Sequence, residues 1–140
     1  MSNLPKGITV EADGSLSFGD YTAKEKAKVN DFEYLGNIYS LRSHDLVTRL
    51  EKNSEMLIET VPGAAVRNFA LDEKTCYFEI ESGVNVQVTL NLAPEAAYHL
   101  RVISNAGGEV SEEIAANRSG KLSFSVEFIG GSKKVVLEKL

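Results

Sequence analysis

The side chains of this chain that could do chemistry are few and lie far apart in the sequence. His44 is followed by Asp45, and a histidine oriented by a carboxylate is the usual arrangement of a general base. Adjacent residues of a strand point to opposite faces, however, so the two side chains would not cooperate within a strand. A polar turn between two strands explains this dipeptide better, and we predict no catalytic residue there.

The single cysteine and the two histidines also lack the spacing of a metal site. His44, Cys76 and His99 with one carboxylate form the largest possible ligand set, and they are too widely separated for the usual ligand pattern. Cys76 alternates with Phe78 and Ile80, which predicts an inert buried thiol. Phosphate loops, serine-hydrolase elbows and EF-hand loops are missing as well. The sequence therefore predicts no catalytic residue, no metal and no cofactor.

Carboxylates are the one reactive group present in quantity. A glycosidase needs two of them at a set separation across a sugar, and Glu33, Glu51, Glu59 and Glu79 fall in predicted strands. The chain has 20 acidic residues, so that some pair of this kind arises by chance. Solvated strand faces are the simpler explanation of these four residues.

The clearest structural pattern lies in residues 84–92. Val84, Val86, Val88, Leu90 and Leu92 alternate with asparagine, glutamine and threonine. A strict period of two gives a strand one aliphatic face and one polar face. A proline two residues later ends this strand, and the alternation then resumes.

The rest of the chain repeats short strands with a turn signal about every ten residues, which predicts an all-β antiparallel sandwich of roughly eleven or twelve strands. Asp13-Gly14 suits a tight hairpin, and residues 52–54 suit a three-residue connection with a left-handed Asn53. Residues 22–28 are compatible with one helical turn or an edge segment. Around Gly36 the pattern fits either two strands joined by a turn or one strand with a bulge.

We expect nine side chains to be buried together: Val86, Val88, Leu90, Tyr98, Leu100, Val102, Leu122, Phe124 and Val126. Ser82-Gly83 is the best candidate for a boundary between two packed β subdomains, residues 1–82 and residues 83–140. A single domain is the alternative, since a unit of about 58 residues is marginal as an independent fold.

Composition limits the partners and the compartment. The net charge is −5 and the isoelectric point about 5.1, without a basic cluster, so we expect neither nucleic acid nor membrane as a partner. One cysteine cannot form an internal disulfide, which fits a reducing compartment. The first residues hold no apolar run of signal-peptide length, and no window is apolar enough for a membrane span. These features predict a cytoplasmic protein.

A short motif after residue 90 resembles a known structural device. The spacing of Leu92, Pro94, Tyr98, Leu100 and Val102 is similar to the tyrosine corner of Greek-key sandwiches in its fibronectin type III form. The resemblance implies that the Tyr98 hydroxyl bonds a backbone group a few residues upstream. It also implies an immunoglobulin- or fibronectin-like character for residues 83–140.

A longer resemblance covers most of the chain. Residues 31–39 (DFEYLGNIY), 48–53 (TRLEKN) and 59–63 (ETVPG) resemble a small family of clostridial-type bacterial proteins, as do residues 11–20 and 119–124. Members of that family carry the label endosialidase. The resemblance implies a small glycosidase that releases sialic acid, and Glu33 or Glu59 would be the carboxylates to test.

Three functions follow from these patterns. The first is a non-enzymatic interaction or structural module, since an unpaired edge strand can add a strand of a partner protein or of a second copy. The second is a carbohydrate-binding module, in which Tyr21, Tyr34, Tyr39 or Tyr77 would stack on sugar rings. The third is the glycosidase.

Overall fold

The computed structural model describes residues 7–22, 24–25, 27–104, 107–128 and 132–140. Over these ranges the chain forms thirteen β-strands and no helix, so no described helix is long and apolar enough to cross a membrane. The strands are β1 (Ile8–Val10), β2 (Leu16–Phe18), β3 (Ala27–Tyr34), β4 (Asn37–Ser43), β5 (Thr48–Lys52), β6 (Glu55–Val61), β7 (Ala65–Leu71), β8 (Thr75–Glu81), β9 (Val86–Asn91), β10 (Ala97–Ser104), β11 (Glu109–Ala115), β12 (Lys121–Val126) and β13 (Ser132–Lys139).

Two antiparallel sheets pack face to face, which confirms the predicted all-β sandwich. The seven-stranded sheet has the order β1-β2-β7-β8-β13-β10-β11, and the six-stranded sheet has the order β12-β9-β6-β5-β4-β3. The count exceeds the predicted eleven or twelve. The Gly36 break is a turn between two strands, β3 and β4, and the bulge of this hairpin lies instead at Asp31, which has φ 56°.

The period-two pattern of β9 gives the expected inner face, although Val84 of that pattern and Val102 of the predicted core are not buried. Val86, Val88 and Leu90 are fully buried. Val84 is 54% exposed, because β9 begins only at Val86. A residue that lies outside the strand is not oriented by the alternation of strand faces. Val102 is only half-buried, because its partner on β11, Val110, is itself uncovered. Eight of the nine expected core residues are thus buried.

The β5–β6 hairpin is tighter than the sequence suggested. Lys52 pairs with Glu55, so the connection has two residues, Asn53 and Ser54, and not three. Both have positive φ, 52° and 69°, and this turn geometry matches the right-handed twist of the flanking strands. The left-handed conformation predicted for Asn53 is confirmed, and its Oδ1 accepts a hydrogen bond from the Ile38 N–H at 2.9 Å.

The expectation for residues 22–28 is only partly within the described structure. Thr22 lies in a turn, and Ala27 and Lys28 open β3, which is an edge strand. Ala23 and Lys26 lie outside the described residues.

Strands from both sides of Ser82-Gly83 pair in both sheets. β8 is hydrogen-bonded to β13 in the larger sheet, and β6 to β9 in the smaller one. The buried residues of the two sheets form one cluster. Dividing the chain at Ser82-Gly83 would therefore break one strand pairing in each sheet. The fibronectin-like character of residues 83–140 stays a prediction.

Tyr98 closes the loop between β9 and β10. Its side chain is buried, and its hydroxyl accepts a hydrogen bond from the Ala93 N–H, with 3.3 Å between the two atoms. The tyrosine corner stays a prediction, and Tyr98→Phe tests it.

We expect Tyr98→Phe to lower the free energy of unfolding by ~1 kcal/mol, because the Ala93 N–H loses its acceptor. Urea unfolding measures the difference. Tyr39→Phe is the matched control, since Tyr39 is also a buried residue but its hydroxyl makes no hydrogen bond in the described part of the chain. Equal midpoints for the wild type and Tyr98→Phe would refute the role of this hydroxyl.

Candidate functional site

The histidine–aspartate pair lies in the turn between β4 and β5, as the sequence predicted. His44 Nδ1 is 3.4 Å from Asp45 Oδ1, which is long for a hydrogen bond. The backbone of the turn packs closely on Gly63, whose N–H donates to the Asp45 carbonyl at 3.0 Å. The pair therefore belongs to a turn that is fixed by its backbone contacts.

The other two candidate metal ligands face opposite sides of the larger sheet. Cys76 points into the core, and burial raises the pKa of its thiol to about 12, which makes it a poor nucleophile at neutral pH. His99 points outward, between Glu113 of β11 and Glu138 of β13. Within the described ranges no three histidine, cysteine or acidic side chains converge in a way that could hold a metal ion.

The four candidate carboxylates are distributed over both sheets. Arg49 lies between Glu51 and Glu59, with 3.3 Å from a guanidinium nitrogen to each carboxylate, so its charge offsets both. Glu33 lies exposed on β3. Glu79 lies on the larger sheet. The structure therefore brings together one pair of the four, and a cation lies within that pair.

Two of the four tyrosines share a cleft, and the other two lie elsewhere. Tyr34 and Tyr39 line one cleft of about 320 Å³ at an end of the sandwich. Tyr21 donates a hydrogen bond to Glu81 at 2.6 Å, and this bond raises the pKa of the phenol to about 12. Tyr77 is half-buried on the larger sheet. The polar residues of the cleft are Asp13, Ser15, Asn37 and Lys52.

Four strands form the edges of the two sheets, and three of them carry features that discourage further pairing. β1 has only three residues, and β3 is interrupted by the bulge at Asp31. β11 carries three carboxylates, Glu109, Glu112 and Glu113. β12 has none of these features: its pairing with β9 is regular over six residues, and Lys121 is its only charge.

The backbone groups of β12 that face away from β9 can be assigned from the turn that precedes it. The Leu92 N–H donates to the Gly120 carbonyl at 2.7 Å. Lys121, the next residue, makes its backbone hydrogen bonds with Asn117 on the other side. Because these directions alternate along an antiparallel strand, the N–H and C=O groups of Ser123 and Ser125 point away from β9.

The side chains of the two serines leave this edge clear. Ser123 Oγ lies 2.9 Å from Thr89 Oγ1, and Ser125 Oγ donates to Gln87 Oε1 at 2.7 Å. Both contacts draw the hydroxyls toward β9. The intervening Phe124 points into the core and is 6% exposed. β12 thus presents two serine backbones with no charged side chain between them.

The larger sheet extends beyond this edge. Val110, Glu112 and Ile114 of β11 pair directly with Val102, Leu100 and Tyr98 of β10 and share their core-facing side. We call these three β11 residues the β11 shelf. Leu100 is 3% exposed, whereas Val110 is 68% exposed, Glu112 is exposed and Ile114 is half-buried. Burial therefore falls sharply from β10 to β11, because the smaller sheet does not cover the shelf.

A strand added beside β12 would become the seventh strand of the smaller sheet and would lie against the β11 shelf. Sequence reasoning predicted that an unpaired edge would bind a partner but did not identify β12. The sequence feature that could have identified β12 is the contrast between its uncharged outward serines and the acidic, weakly apolar β11.

The β12 edge and the β11 shelf together form the candidate site. The resemblance to the endosialidase-labelled family and the tyrosine corner stay predictions. Comparison with known proteins finds no matching family model, no matching curated protein and no matching solved structure.

Proposed function

We propose that this protein is a non-enzymatic interaction module that binds an extended segment of a partner protein as an added strand along β12. The observation that carries the proposal is the unprotected edge of β12 beside the uncovered β11 shelf. Strand addition uses main-chain hydrogen bonds for affinity and alternate side chains for specificity, and this site offers both.

The main-chain part of the interaction is set by Ser123 and Ser125. In antiparallel pairing, the partner residue opposite each serine exchanges an N–H···O=C bond in both directions. Each such bond contributes about 0.5–1.5 kcal/mol net. The inward side chains of the added strand would cover Val110 and Ile114, and their burial supplies a hydrophobic contribution of about 25 cal/mol per Å².

A second copy of the chain fits this edge less well than a separate segment. Pairing two β12 strands by a two-fold axis perpendicular to the sheets would place both larger sheets on the same side of the joined sheet. The β11 shelf of each copy would then extend over the β12 strand of the other copy. The larger sheet of that other copy already lies there, so the two larger sheets would overlap. An isolated extended segment meets no such obstacle.

The glycosidase is supported less by the geometry. Glu33 on β3 and Glu59 on β6 are separated by β4 and β5, so three strand spacings alone keep their backbones at least about 14 Å apart. Glycosidase carboxyl groups lie about 5–9.5 Å apart. The nearer pair, Glu51 and Glu59, shares Arg49.

Carbohydrate binding is the second candidate, and the shared cleft of Tyr34 and Tyr39 favours it. Its volume of about 320 Å³ is within the range of small-ligand sites. A glycan array with the wild type and Tyr34→Ala tests it. A hit that disappears in the variant would support the proposal, and an array without hits would remove it.

Ser123→Pro is expected to abolish strand addition, because proline removes the outward N–H of β12 and fixes φ. The probe is a blocked synthetic peptide, Thr-Val-Thr-Gln-Thr-Val-Thr, titrated into ¹⁵N-labelled protein and followed by NMR. For the wild type we expect saturable shifts of the Ser123 and Ser125 amides. For Ser123→Pro we expect no shift at Ser125.

Ser123→Ala is the matched control, because it removes the hydroxyl contact with Thr89 and keeps the N–H. It should bind the peptide like the wild type. The proposal is overturned if the two serine amides of the wild type do not respond, or if Ser123→Pro is folded and binds equally well. Sedimentation that shows a wild-type dimer lost in Ser123→Pro would assign the edge to a second copy.

A further inference from the structure

We infer that the β12 edge selects a strand with a cationic residue at its central inward position and apolar residues at the inward positions on either side. This inference rests on the proposed function, because it assigns the sequence of the segment that binds at the same edge. It follows from the order of side chains on the β11 shelf.

The direction of β11 relative to β12 sets which shelf residue meets which part of the added strand. β11 ends at Ala115 and β12 begins at Lys121, so the two strands run in opposite directions from a short connection. Ile114 therefore lies toward the Lys121 end of the edge. Val110 lies toward the Val126 end, and Glu112 lies between them.

The centre of the shelf is acidic and its two sides are apolar. Glu112 shares its face with Tyr98, Leu100 and Val102, none of which is a cation. In the described part of the chain Glu112 makes no ion pair, and the nearby Arg101 is held on the opposite face by Glu109 at 3.0 Å. A lysine or arginine at the central inward position of the added strand would supply the missing charge.

The resulting pattern is apolar-x-cation-x-apolar, where x marks outward residues beside Ser123 and Ser125. Because the pattern is symmetric, it is the same for a parallel and an antiparallel partner. Small polar residues suit the x positions, since the serines on this side carry no charge and point toward β9.

The test compares two probes, Thr-Val-Thr-Lys-Thr-Val-Thr and Thr-Val-Thr-Glu-Thr-Val-Thr, by NMR titration of the full chain. We expect the lysine peptide to bind wild-type protein about threefold more tightly, as for an exposed ion pair. Glu112→Lys should reverse this preference. Glu113→Lys is the matched control: Glu113 is adjacent, faces the other side of β11 opposite His99, and should leave the preference unchanged.

The outcomes separate this inference from the proposed function. Equal binding of both peptides, with saturable shifts at Ser123 and Ser125, would overturn the inference and leave strand addition in place. A Glu113→Lys variant that reverses the preference as strongly as Glu112→Lys would also overturn it, since the net charge and not the shelf would then decide. No binding of either peptide would overturn the proposed function itself.

Discussion

Phe78→Ala is expected to lower the free energy of unfolding by about 3–5 kcal/mol, the range for removing a large aromatic side chain from a packed core. Phe78 lies at the centre of β8 and is fully buried. Its ring centroid lies 5.8 Å from that of Phe69, and Phe69 in turn makes an edge contact with Phe18 at 6.1 Å. The truncation leaves a cavity between the sheets that rigid neighbouring strands fill only in part.

Tyr77→Ala is the control for this prediction, because Tyr77 is the preceding residue of the same strand and points to the other face. It should cost about 1 kcal/mol or less, since its ring is half-exposed. Guanidinium unfolding of both variants gives the two values. If the costs were equal, the inner face of β8 would be assigned incorrectly, because a one-residue register shift exchanges the faces.

Thr48→Val should lower the free energy of unfolding by about 2–3 kcal/mol, although it keeps the shape of the side chain. Thr48 is buried, and its hydroxyl donates to the Ala64 carbonyl at 2.8 Å and accepts from the Ala64 N–H at 3.2 Å. Ala64 is also fully buried. Valine therefore leaves two backbone groups without partners, away from water.

Thr60→Val is expected to have the opposite effect, with a gain of up to about 1 kcal/mol. Thr60 lies directly opposite Thr48 on β6 and is fully buried. Its hydroxyl has no hydrogen-bond partner within the described ranges, so valine removes a polar group that the core does not satisfy. Thermal unfolding of the two variants compares the same substitution at paired positions. A loss of equal size at both would contradict the hydrogen-bond assignment of Thr48.

The four edge strands of the two sheets differ in how well they are protected against pairing with a further strand. Length, a bulge and charge discourage further pairing at β1, β3 and β11. The strand with a regular ladder and a single charged residue, Lys121, is β12, and there the larger sheet extends beyond the smaller one. Natural sheets usually protect such edges against aggregation, and this contrast is the observation on which the proposed strand addition rests.

Local pattern was sufficient for much of the fold. The alternation of Val86, Val88 and Leu90 predicted a strand and its inner face, because burial on one side of a sheet imposes a period of two on the sequence. Asn53 was predicted to be left-handed, because its short polar side chain tolerates that conformation.

Pairing between distant strands could not be derived from these patterns. Nothing in the sequence of β8 specifies that it lies beside β13, since the backbone groups that join strands are the same in every residue. Val102 was expected in the core, but the uncovered β11 beside it leaves it half-exposed. This outcome also depends on the strand order, which the local pattern does not specify. Val84 continues the alternation in sequence, yet it precedes the strand.

The sequence by itself determined that the chain is an all-β sandwich and which residues of most strands face inward, because these properties depend on local periodicity. Only the tertiary structure decided that β12 is an edge, that β11 extends beyond it and that Glu112 lies at the centre of the exposed shelf. These features depend on strand order and on the unequal width of the two sheets, and both arise from contacts between residues far apart in the chain.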